Sequence, residues 1–89
     1  MNINFNKIKE IYGNEILNII KENQENVINN LKYLHRLGFT DIEDIFEREV
    51  LLFIDIDFKN KMDNLILKLG PDYVEKIEND LSLLEEILW

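Results

Sequence analysis

From residue 23 onward the apolar positions of this chain recur at helical spacing. Val27, Leu31, Leu34 and Leu37 follow one another at steps of four, three and three, which fall on one stripe of a 3.6-residue helix. Asn23 stands where an N-cap belongs, and Gly38 where a left-handed residue closes a helix without a side-chain clash. Thr40-Asp41-Ile42-Glu43 has the form of a capping box: the threonine oxygen can accept from an orphan amide while the glutamate reaches back. It predicts a short helix over roughly 41–48.

Val50-Leu51-Leu52-Phe53-Ile54 is a continuous apolar run. A strand here would have no partner elsewhere in the chain, so the run reads as a buried turn of α- or 3₁₀-helix. Asp55 and Asp57 are candidate caps for the next helix, whose stripe is Phe58, Met62, Leu65, Ile66 and Leu69. Gly70-Pro71 ends it. Asp72-Tyr73-Val74-Glu75 and Ser82-Leu83-Leu84-Glu85 offer two further starts. Toward the N-terminus, Ile8, Ile11 and Tyr12 precede a break at Gly13-Asn14, after which Ile16, Leu17, Ile19 and Ile20 resume the pattern. The prediction is an all-α fold, a small stack of five to seven short helices forming a single helical domain over 1–89.

Sliding the chain on itself by 32 residues aligns its punctuation. Leu37-Gly38 meets Leu69-Gly70, Thr40 meets Asp72, Ile42-Glu43 meets Val74-Glu75, Leu51-Leu52 meets Leu83-Leu84, and Arg36 meets Lys68. A period of this length is the mark of stacked helical units. Two to three degenerate repeats of about 32 residues are therefore expected, as units 31–54 and 63–88 with a partial unit 12–28. Asn30 to Glu43 followed by Leu51-Leu52 resembles the repeat of the mitochondrial transcription termination factors, in which a long helix ending in Leu-Gly-Phe/Leu precedes a short helix and a leucine-bearing 3₁₀ turn. The second unit resembles it more loosely: Pro71 replaces the aromatic after glycine, and both units lack the proline usual before the double leucine. The resemblance spans roughly 55 residues. It implies a right-handed curved stack that binds nucleic acid along a basic concave face, with Arg36 and Lys68 as matched inner positions and Lys32 one turn earlier.

Charge runs against that implication. The chain of 89 residues carries a net charge of −8. The first 40 residues sum to +1 and residues 41–89 to −9. The second half repels a phosphate backbone at long range. Hydrophobic residues make up 46% of the chain, ample for one core, while the longest apolar run is far short of the roughly 20 residues of a membrane span. The first residues do not read as a signal peptide, and cysteine is absent, which fits a cytoplasmic setting and removes disulfides, thiolate metal sites and a cysteine nucleophile.

Candidate chemistry is sparse. His35 is the lone histidine, Thr40 and Ser82 read as caps, and no serine triad can be assembled. Asp55-Ile56-Asp57 suggests a calcium loop, but Lys59, Asn60 and Ile66 occupy positions where ligands or glycine are required. No catalytic residues, metal or cofactor are expected. The leading expectation is a non-catalytic interaction module binding another macromolecule, most readily a protein or a second copy of itself. Its expected edge is an apolar patch of Leu84, Ile87, Leu88 and Trp89 at the open end of the stack. One alternative is nucleic-acid binding through Lys32, Arg36, Lys61 and Lys68. Another is an acidic inhibitor that imitates a phosphate backbone with Asp41, Glu43, Asp44, Glu47 and Glu49 and then Asp72, Glu75, Glu78 and Asp80.

Overall fold

The computed structural model describes residues 3–88, without the side chain of Leu88. Among these residues the chain forms six α-helices and two 3₁₀-helices, with no strand. They are α1 (Phe5–Tyr12), α2 (Asn14–Glu22), α3 (Gln24–Leu37), α4 (Ile42–Arg48), η1 (Val50–Ile54), α5 (Phe58–Leu69), α6 (Tyr73–Asn79) and η2 (Leu81–Leu88). The all-α architecture follows from the spacing of aliphatic residues. Val27, Leu31 and Leu34 of α3 and Phe58, Met62 and Leu65 of α5 are buried on single stripes. The apolar run Val50–Ile54 is indeed one 3₁₀-helix. Its Phe53 lies at the centre of the core, edge-on to Phe46 at 5.4 Å and stacked on Phe58 at 5.0 Å.

In each half a long helix, a glycine, a short helix and a 3₁₀-helix follow in that order. The long helices α3 and α5 lie side by side and run the same way. Asn30 reaches the carbonyls of Phe53 and Asp55 just before α5, Tyr33 donates to Asp63 within it, and Leu37 accepts from the Tyr73 hydroxyl just after it. Phe39 meets the Tyr73 ring at 6.2 Å, and Thr40 donates to Glu78 at 2.9 Å. The segment following α3 therefore lies against α6.

The two glycines close their helices differently. Gly38 is left-handed (φ 101°, ψ 9°), its amide donating to His35 and that of Phe39 to Leu34, the paired bonds of a Schellman motif. Gly70 also has positive φ (89°) but an extended ψ of −170°. The cause is Pro71. Its ring excludes helical ψ at the preceding residue, and it has no amide with which to make the outer Schellman bond. The Gly70 amide bonds to Ile66 instead, and the Lys76 ammonium donates to the Leu69 carbonyl at 2.6 Å.

Asn23, Asp57 and Asp72 hold the N-cap positions of α3, α5 and α6 expected of them, but none caps through its side chain. Thr40 does not close a capping box; Asp41 holds the N-cap position of α4, without a side-chain bond. Asn23 gives its side-chain amide backward to Ile19, at the end of α2. Ser82 lies inside η2, and the Asp80 carboxylate accepts from its amide and hydroxyl. The cap the sequence reading missed is Asn4, which accepts from the Lys7 amide at 3.1 Å.

Candidate functional site

The expected apolar edge requires correction. Leu84 and Ile87 retain only 1% and 6% exposure, because η2 folds its apolar side against α5 and α6. They belong to the core. The Leu88 side chain and Trp89 lie outside the described residues. The exposed large aliphatics are instead Ile11, Leu51, Ile56 and Leu67.

The four candidate nucleic-acid contacts fall into two groups. Lys32 and Arg36, one turn apart on α3, share a shallow depression with Asn29 and His35. Lys61 and Lys68, on α5, line another with Asn64, Leu65, Glu86 and Ile87. Lys61 is already engaged, paired with Asp55 at 2.5 Å. That bond, with a second from the Asp57 amide, holds the Asp55 carboxyl below its usual range. Asp55 thereby serves the turn before α5, and no group of three or more carboxylate or imidazole side chains converges as a metal cage would need among the described residues.

A cation missed in the sequence joins the first group. Lys59 lies 5.4 Å from the Tyr33 ring centroid and Arg36 lies 5.8 Å from it. Cations attract the ring's negative face, and the phenol is in turn anchored on Asp63. Burial, reinforced by that carboxylate, pushes the Tyr33 hydroxyl up to about 12. Lys32, Arg36 and Lys59 make no ion pair among the described residues, whereas Lys7, Arg48, Lys61 and Lys76 each do.

A third surface gathers where α1 meets η1. Tyr12, Val50, Leu51 and Leu52 line a depression bordered by Arg48 and Glu49. Tyr12 is fixed by its hydroxyl, which donates to the Glu47 carbonyl at 2.5 Å. Leu51 keeps 47% exposure between two buried neighbours. With three residues per turn, a 3₁₀-helix that buries Val50, Leu52 and Phe53 turns the remaining residue of that turn outward. The doubled leucine was visible in the sequence, but its outward member could be recognised only once the helix type was fixed. No family model matches this chain, and no curated protein or solved structure matches it either.

Proposed function

We propose that this chain is a non-catalytic helical module that binds a protein partner through the surface where α1 meets η1. One observation carries the reading: Tyr12 and Leu51 line an apolar depression, with Leu51 nearly half exposed beside two fully packed neighbours. The side-by-side long helices, with the chain after Gly38 lying against α6, support taking the two halves as degenerate copies of one unit stacked on each other. A cytoplasmic setting accords with the lack of cysteine. The test is retention of a partner from cell extract at about 0.5 M salt, where exposed charge pairs are screened within a few ångströms. A protein held by the wild type and released by Leu51→Asp supports the reading. Equal retention by both would refute it.

Nucleic-acid binding is a second reading, favoured by Arg36 and Lys59 at the Tyr33 ring and Lys32 beside Arg36, cations without a carboxylate partner among the described residues of an acidic chain. It requires affinity for labelled RNA or DNA that falls steeply with salt and is lost in Arg36→Glu. Absence of binding at low salt ends it.

A further inference from the structure

The charges around the α1–η1 depression are unevenly committed. The cation on its rim is occupied, Arg48 pairing with Asp44 at 3.1 Å. The carboxylate on its rim is not. Glu49 borders the depression, half-buried, and makes no ion pair among the described residues; Glu85 of η2, exposed and also without an ion pair among them, lies near enough for its charge to act on Glu49. Burial first, and the like charge of Glu85 second, push the Glu49 carboxyl above its usual range. A partly dehydrated anion beside another anion is relieved by a cation supplied from outside. A second copy of this chain is a poor source, since each copy carries a net charge of −8.

We propose that this depression receives a basic amphipathic helix of a partner protein, with aliphatic side chains against Tyr12 and Leu51 and a lysine or arginine between Glu49 and Glu85. Amphipathic helices dock in this manner, apolar face inward and flanking charges on the rim. The inference rests on the reading of the chain as a protein-binding module and names the chemistry of what it binds.

The probe is a synthetic helical peptide of leucine and lysine, amphipathic over about four turns, with two controls. One replaces its leucines by serine at the same charge, and the other replaces its lysines by glutamate. Binding is followed by fluorescence anisotropy and by amide shifts of the isotopically labelled full chain. Expected is saturable binding of the leucine–lysine peptide alone, with shifts at Tyr12, residues 48–52 and Glu85. Leu51→Ser should weaken it roughly tenfold, as should the double variant Glu49→Gln/Glu85→Gln, tenfold corresponding to about 1.4 kcal/mol. Leu67→Ser removes an equally apolar but more exposed side chain on α5 and should leave affinity unchanged. The Glu49 variant loses a charge the fold disfavours, so folding is not the casualty; amide spectra check this for each protein. Unaltered affinity in the Leu51 and Glu49/Glu85 variants overturns the proposal, as does binding of the serine peptide equal to that of the leucine peptide. Shifts centred elsewhere also overturn it while leaving the module reading intact, because that reading is judged separately by partner retention from extract.

Discussion

Asn30 is the buried polar residue of the described core, and its side-chain amide spans the carbonyls of Phe53 at 2.8 Å and Asp55 at 3.1 Å. It thereby satisfies the Phe53 carbonyl at the end of η1 and adds a second bond to the Asp55 carbonyl, which also accepts from the Phe58 amide. Asn30→Ala should cost about 1–3 kcal/mol in urea denaturation, the usual penalty for orphaning a buried acceptor. Two carboxylates give opposite signs in a pH series. Asp55 sits below its ordinary value of 3.8, so its contribution is whole above that value and drains away as pH falls toward the folded one. Asp55→Asn should lower stability at pH 7 and flatten the acid limb. Glu49 sits above 4.5, so folding is opposed as pH rises from there through the folded value, and Glu49→Gln should hold or raise stability at pH 7. Denaturation midpoints between pH 3 and 7 decide both. The roles of Asn30 and Glu49 could not be read from sequence. Asn30 looks like any polar residue on a helix until η1 is placed beside it, and Glu49 looks solvated until Glu85 arrives from 36 positions away.

At the scale of elements, what was legible was periodicity. The stripes of α3 and α5 and the glycines ending them are local properties, set by 3.6-residue spacing and by the steric freedom of positive φ. Caps were less legible because short polar side chains choose among partners. Thr40 bonds to Glu78 across the fold instead of to its own helix, and Asn23 serves the helix behind it. The glycine pair yields a further expectation. Neither site opposes an added methyl sterically, for nothing lies within 4 Å of it at Gly38 and only the Asp72 carboxylate, at 3.9 Å, at Gly70. The costs are thus those of backbone conformation. Gly38→Ala enters the left-handed well at about 1–2 kcal/mol, whereas Gly70→Ala enters a region reached essentially by glycine alone, at about 1–3 kcal/mol. Thermal denaturation should rank Gly70→Ala as the more damaging, and the reverse order would contradict the backbone account.

At the scale of the molecule, charge asymmetry sets the response to salt. Residues 41–89 carry −9 against +1 in the first 40, so the second half of the fold is held together against its own repulsion. Added sodium chloride, which shortens the screening length to about 10 Å at 0.1 M, should raise the melting temperature. A falling midpoint would mean that the ion pairs outweigh the repulsion. The 32-residue offset was legible in glycines and double leucines, but the polar ties between the halves were not, because each occurs once. The residue 32 places after Asn30 is Met62, fully enclosed yet without an amide to offer. One 3₁₀-helix is thus bolted to its neighbour, and the other is only wedged there by Leu84 and Ile87. Breathing should begin at the wedged end, so that amides of η2 take up deuterium ahead of those of η1 while the bolted joint stays shut.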